Sequence, residues 1–116
     1  MRAGVIGVGS MGQNHARVYD EYEQTDLVGV ADADEKRAVE IAGEYSTRAL
    51  PTKELLNIVD VVSIAVPTAF HRDTAVECIQ GGIHVLIEKP IAATQEEGRE
   101  LIEEAEANNV TIQVGH

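Results

Sequence analysis

Three groups of residues in this sequence have the types and spacing to do chemistry, and each stands where an apolar run ends. The run AGVIGV (3–8) passes into Gly7-Val8-Gly9-Ser10-Met11-Gly12, a G-x-G-x-x-G turn. In that pattern Gly7 permits a tight turn, Gly9 lets a pyrophosphate approach the backbone, and Gly12 lets a helix pack closely on a strand. The N–H groups and dipole of a helix opening there favour an anion. A glycine-rich turn without a ligand is the plainer alternative. Asp32 ends the run LVGVA (27–31), 20 residues after Gly12. A carboxylate at that distance can accept both hydroxyls of an adenosine ribose and repel a 2′-phosphate, which favours NAD. Lys36 and Arg37 follow closely and keep NADP as the alternative. An acid here can also serve only as a helix N-cap, a role that fits Asp34 better than Asp32.

The third group is Glu88-Lys89-Pro90, which ends HVLI (84–87). Charges are seldom fully buried unless paired, so this triplet either leaves the core or has a partner. Pro90 stops the strand and restricts Lys89 to an extended backbone. A cis Lys89-Pro90 bond would suit a constrained turn. A lysine so held can donate to a substrate hydroxyl oxygen or relay its proton. The bland alternative is a Glu88–Lys89 surface ion pair.

These groups need a scaffold that brings them to one side. Besides the runs already named, VVSIAV (61–66) and VTIQV (110–114) read as strands. Most runs are valine- and isoleucine-rich and nearly continuous, as in parallel strands buried on both faces. Between them apolar residues recur at helical spacing: Met11, His15, Val18, Tyr19 and Tyr22; Ala38, Ile41, Ala42 and Tyr45; Ala75, Cys78 and Ile79; Leu101, Ile102 and Ala105. The segment Thr94-Gln95-Glu96-Glu97 fits a capping box. Gly81-Gly82 and Asn108-Asn109 are helix stop signals. Arg48–Leu50 reads as a short edge strand, followed by a brief helix from Pro51 to about Asn57.

The expectation is one α/β domain over 1–116, a doubly wound parallel sheet (Rossmann fold) of about six strands with helices on both faces. A flavodoxin-like strand order is the runner-up. In such sheets ligands bind outside the carboxyl ends of the strands, at the edge where all three groups fall. In the order 3-2-1-4-5-6, adenosine lies over strands 1 and 2. Nicotinamide then lies over strands 4 and 5, beside Lys89.

Composition narrows the partners. The chain has 116 residues, a net charge of −11 and only three lysines. No basic stripe offers itself to nucleic acid, and no nucleic-acid partner is expected. No apolar run reaches the roughly 20 residues of a membrane-spanning helix, and no membrane partner or metal site is expected. The single cysteine, Cys78, excludes an internal disulfide and fits a cytoplasmic setting. It reads as a small buried side chain. The acidic, lysine-poor surface suits plain solubility or a high-salt cytosol.

GVIGVGSMGQNHARVY, VADAD, AVPTAFH and HVLIEKPIA together resemble the N-terminal half of the Gfo/Idh/MocA oxidoreductases, across essentially the whole chain. The glutamate-lysine-proline triplet is the most specific element. The wording is most similar to archaeal members of the nucleotide-sugar and inositol dehydrogenase kind. The resemblance implies that Gly7, Gly9, Ser10, Met11 and Gly12 line a pyrophosphate and Asp32 a ribose. It implies that Val66, Pro67, Thr68 and His71 flank the middle of the cofactor. Glu88 would approach the nicotinamide ribose, Lys89 would be the active-site lysine, and Gln113 would contact the nicotinamide side. His15 matches a position often histidine in the family, although its helical spacing makes a satisfied core histidine the safer reading. The implied reaction is NAD(P)-dependent oxidation of a secondary alcohol on a sugar, nucleotide sugar or cyclic polyol. A non-catalytic NAD-binding module is the alternative. The family carries a second, C-terminal domain that supplies substrate and oligomer contacts. With the sequence ending at Val114-Gly115-His116, the expectation is a nucleotide-binding half that is inactive alone and belongs to a homo-oligomer when complete.

Overall fold

A computed structural model describes residues 1–115. In chain order the elements are β1 (Arg2–Ile6), α1 (Ser10–Glu21), β2 (Asp26–Ala31), α2 (Glu35–Glu44), α3 (Thr52–Leu56), β3 (Val61–Ile64), a 3-10 turn (Thr68–Phe70), α4 (His71–Gln80), β4 (His84–Glu88), α5 (Gln95–Ala107) and β5 (Ile112–Gly115). All ladders are parallel, in the order β2-β1-β3-β4-β5. The sheet therefore has five strands, not six. The segment expected as an edge strand makes a single parallel bridge, Ala49 to Val30, held by Val30 N–H to Arg48 O (2.8 Å) and Leu50 N–H to Val30 O (2.9 Å). Two bonds at one residue do not make a ladder, because Arg48-Ala49-Leu50 has no apolar run with which to continue it. That bridge still decides the topology. Counted with it, the order is 3-2-1-4-5-6. Counted without it, the order has the same numerals as the flavodoxin-like runner-up.

Strand alternation divides the core in two. Val5, Val30, Val8, Ala16, Ile41 and Ala42 pack together on the face covered by α1 and α2. Ile6, Val62, Ile64, Val85 and Ile87 face the other way, against Leu55, Ile79 and Leu101 from α3, α4 and α5. Those three large side chains are wholly buried. Each contributes about 1.5–3 kcal/mol by leaving water. The expected helix signals are present. Asp34 caps α2 by accepting from Arg37 N–H (3.2 Å), and Thr94 caps α5 by accepting from Glu97 N–H (3.1 Å). The capping segment Thr94–Glu97 thus forms with only its Thr94 half recorded. Gly82 and Asn109 take positive φ just after α4 and α5.

Register makes the carboxyl ends level. Ile6 lies beside Ala31 and Ile64, and Ile64 beside Ile87. The residues that follow each strand therefore emerge along one edge, where the chemistry-bearing groups were expected. His116, expected at the tip of the last strand, lies outside the described residues.

Candidate functional site

The turn after β1 is fixed by close approach. Gly7 has φ of +92°, and a Cβ there would lie 2.8 Å from the Ala65 backbone. A Cβ on Gly12 would lie 1.7 Å from the Gly7 carbonyl oxygen, so the first turn of α1 rests directly on the strand end. At Gly9 the space is open, and a Cβ would meet only the Arg37 guanidinium at 3.8 Å. Gly9 is also the N-cap of α1 and supplies no side-chain acceptor. The first N–H groups of α1 thus have no side-chain cap and can donate to an external anion, while the close packing falls to Gly7 and Gly12.

Asp32 stands at the end of β2 with its side chain 11% exposed. Its Oδ2 accepts from Val8 N–H and its Oδ1 from Asp34 N–H, both at 2.8 Å. Each oxygen keeps further lone pairs. Asp32 therefore ties the glycine turn to β2 while holding its carboxylate at the cleft. Arg37 Nη1 lies 3.9 Å from Oδ2, an ion pair that partly offsets the charge a 2′-phosphate would meet. The helix-cap role falls to Asp34.

A cleft of about 790 Å³ opens over this rim. Of the expected residues, Gly7, Gly9, Asp32, Val66 and Pro67 line it. Ser10, Met11 and Gly12 open α1 at its margin, and Met11 is exposed. Thr68 begins the 3-10 turn beyond Pro67. The sequence reading missed Phe70, which lines the cleft and is 58% exposed. Its signal was an aromatic side chain in the loop just after a buried strand. Thr52, Thr74 and Glu77 also line the cleft without having been expected there.

His71 is only 4% exposed, and both ring nitrogens are engaged. Nε2 lies 2.9 Å from Val66 O and Nδ1 3.0 Å from Pro90 O. A neutral imidazole donates to one of these carbonyls, and an imidazolium donates to both. Neither nitrogen is left for a cofactor. His71 thus joins the loop after β3 to the loop after β4, beside the cofactor region where it was expected, with both ring nitrogens turned to backbone carbonyls.

The Lys89-Pro90 peptide is cis, as the sequence suggested. Glu88 does not pair with Lys89. Its Oε1 lies 2.9 Å from His15 Nε2, so the bland surface-pair reading of the triplet does not hold. His15 is accordingly a partnered side chain facing the rim. Lys89 is exposed and makes no ion pair among the described residues. It borders a second recess of about 820 Å³, lined also by Ile91, Gly98, Ile102 and Val114, rather than the first cleft.

Gln113 is not brought to the rim. It pairs with Leu86 in mid-strand and borders a separate recess with Met1, Val61 and His84, near the amino ends of the strands. Alternation puts it on the same face as Gly115 but two residues short of the edge. Elsewhere, the Cys78 thiol is buried in α4, and burial pushes it up to about 12, with the Glu77 charge adding to the shift. Among the described residues no helix is long and apolar enough to cross a membrane.

Comparison with known proteins agrees with this geometry. The family model for GFO_IDH_MocA, described as an oxidoreductase family with an NAD-binding Rossmann fold, matches residues 1–116. UDP-N-acetylglucosamine 3-dehydrogenase of Acidithiobacillus ferrooxidans is 44% identical over 117 residues, covering all of this chain and 37% of that protein. A solved structure of that enzyme superposes with a TM-score of 0.97 at 43% identity, over 100% of this chain and 38% of its own. GenD2 from gentamicin A biosynthesis, solved in complex with NAD, gives a TM-score of 0.95 at 31% identity over 99% of this chain and 34% of its own. The chain thus spans less than two fifths of the length of these relatives. A five-stranded parallel sheet, a glycine turn open only at Gly9 and a full-length family match lead to one conclusion: the chain belongs to the Gfo/Idh/MocA oxidoreductase family, as its NAD-binding Rossmann fold.

Proposed function

We propose that this chain is the nucleotide-binding half of an NAD(P)-dependent dehydrogenase that oxidises a secondary alcohol on a sugar, nucleotide sugar or cyclic polyol. The observation that carries the reading is the level register of β2, β1, β3 and β4, which sets Asp32, Gly9 and Lys89 along one edge. Three inter-strand gaps separate the Asp32 end from the Lys89 end, about 14 Å at the usual strand spacing. The two ends are thus suited to the two halves of one dinucleotide.

The residues divide the work. The open backbone at Gly9 and the uncapped start of α1, with Ser10, Met11 and Gly12, hold the pyrophosphate. Asp32 accepts the adenosine ribose hydroxyls and disfavours a 2′-phosphate, which makes NAD the expected cofactor, while Arg37 keeps NADP within reach. Val66, Pro67 and Thr68 border the middle of the cofactor, and Glu88 faces the nicotinamide ribose. When bound, the nicotinamide supplies the hydride acceptor. Lys89 donates to the substrate hydroxyl oxygen and holds it, while the hydroxyl proton passes to a general base of the complete enzyme as the carbinol carbon gives up hydride. Among the described residues Lys89 makes no ion pair that would have to break first.

The reading includes a separate substrate domain, a homo-oligomer when the protein is whole, and a cytoplasmic setting. The fraction of the relatives' length covered here supports the first, and the free, buried Cys78 supports the last. The similarity to the named UDP-N-acetylglucosamine 3-dehydrogenase makes nucleotide sugars the first substrates to try.

Two substitutions test the division. Asp32→Ala should weaken NAD about 10-fold or more in calorimetric titration, the effect of losing a charge-assisted hydrogen bond, and weaken NADP less. Lys89→Ala should leave NAD affinity within about twofold, as expected of a side chain outside the cofactor cleft, and lower turnover in the full-length enzyme. Equal loss of NAD affinity from both substitutions would mean that Lys89 is a cofactor ligand and has been given the wrong task.

A further inference from the structure

The direction of the Glu88 carboxylate, on the side of the rim assigned above to hydride transfer, is constrained from two elements. From α1, His15 Nε2 lies 2.9 Å from Oε1, and the two side chains are only 14% and 23% exposed. From β5, Gly115 stands opposite Glu88 in register. A Cβ on Gly115 would lie 3.0 Å from both carboxylate oxygens. One neighbour attracts the carboxylate, and the other leaves room for it by having no side chain. Oε2 carries no hydrogen bond among the described residues, so one oxygen is fixed and the other is free to accept.

We propose that His15 and Gly115 are positioning residues that aim the free Oε2 of Glu88 at a hydroxyl of the nicotinamide-side ribose, so that the site distinguishes a whole dinucleotide from its ADP half. The inference rests on the dehydrogenase reading above. Its physical content is pre-organisation. A glutamate side chain free to rotate loses rotamer entropy when it captures a hydroxyl. One already held by His15, in the slot left by Gly115, loses little, and a hydroxyl bond to a carboxylate is among the stronger neutral–ion contacts. A merely structural role for the pair, fastening α1 to β4, would change stability and would treat every ligand alike.

The test is the ratio of two affinities, measured by titrating the protein with NAD and, separately, with ADP, which lacks the nicotinamide riboside. His15→Leu should weaken NAD on the order of 10-fold, the size of a charge-assisted hydrogen bond, and leave ADP within about twofold. Gly115→Ala should repeat that pattern by displacing the carboxylate from the strand side. His15→Gln keeps an amide donor on α1 and should recover most of the NAD affinity; it also guards against a His15→Leu protein that fails to fold. Parallel loss of NAD and ADP in these variants, or unchanged NAD affinity in folded protein, overturns the proposal and leaves the dehydrogenase reading standing. Failure of the unaltered protein to bind either ligand removes both.

Discussion

The two ends of the rim, the one proposed to take adenosine and the one proposed to face hydride transfer, are held by different means. Around Gly7–Gly12 the backbone itself does the holding: the Gly12 Cα sits against the Gly7 carbonyl, and the Asp32 carboxylate is fixed by two backbone N–H groups. At the ends of β3 and β4 histidine side chains do the holding, His71 on two backbone carbonyls and His15 on the Glu88 carboxylate. His71 reaches Pro90 across 19 residues, and His15 reaches Glu88 across 73. An end built on missing side chains can be destroyed by adding a methyl group. An end built on side-chain bridges can be loosened while its neighbour stays in place.

The largest effect should therefore come from Gly12→Ala. The new Cβ would lie 1.7 Å from the Gly7 carbonyl oxygen, and backbone cannot move aside as a flexible side chain can. A loss of about 3 kcal/mol or more in denaturant unfolding is expected, the upper end of the overpacking range. Gly9→Ala sharpens the contrast. Its Cβ meets only Arg37 at 3.8 Å and its φ is −69°, so stability should stay within about 0.5 kcal/mol. NAD binding should nevertheless fall, because the methyl occupies the place of the approaching phosphate. If both variants behave alike, the division of labour among the glycines is wrong.

His71→Phe comes next. It removes the ring N–H bond to Val66 O or Pro90 O and the polar ring that lies between those two carbonyls. At roughly 1–3 kcal/mol for each unsatisfied buried group, a cost of about 2 kcal/mol or more is expected in chemical unfolding. ADP affinity, which depends on the other end, should remain within about twofold. A parallel fall in ADP affinity would show that the two ends are one mechanical unit, and the comparison would break.

How much of this was legible in the sequence follows the same division. The glycine turn, Asp32 and the Asp34 cap are local patterns whose spacing carries their geometry, and they fall where expected. The alternation of buried strands with amphipathic helices was equally plain. The sixth strand failed because Arg48-Ala49-Leu50 has too little apolar surface to extend one bridge into a ladder. The hydride end was legible in its residues but not in their partners. Helical spacing put His15 on an inward face, yet only the docking of α1 beside β4 reveals Glu88 as its acceptor. His71 was visible one turn beyond a strand end, but the direction of its ring is set by a loop 19 residues away. Gln113 shows what alternation omits: it gives the face of a strand and not the height along it.

Cys78 offers the finest probe of the hydride end, because it lies in α4, the helix that begins with His71. Buried and pushed up to about 12, the thiol should not react with iodoacetamide at pH 8 while the protein stays folded. Labelling must then wait for opening, so its rate reports local stability. His71→Phe should speed it about tenfold for each 1.4 kcal/mol lost, whereas Gly9→Ala should leave it unchanged. The same thiol gives stability a pH dependence with a definite sign. An unfolded cysteine ionises near 8.5, whereas the folded one holds its proton to about 12. Between those values the unfolded state binds fewer protons, so stability falls as pH rises, by up to about 1.4 kcal/mol per unit, and below them this group contributes no slope. Tyr19, raised chiefly by burial and partly lowered again by its bond to Ser63, adds to the decline in the same direction. Melting temperatures between pH 8 and 11 should therefore drop more steeply in the unaltered protein than in Cys78→Ala. Equal slopes would mean that α4 already admits solvent to its thiol, and that the side-chain bridges hold the hydride end less firmly than their hydrogen bonds imply.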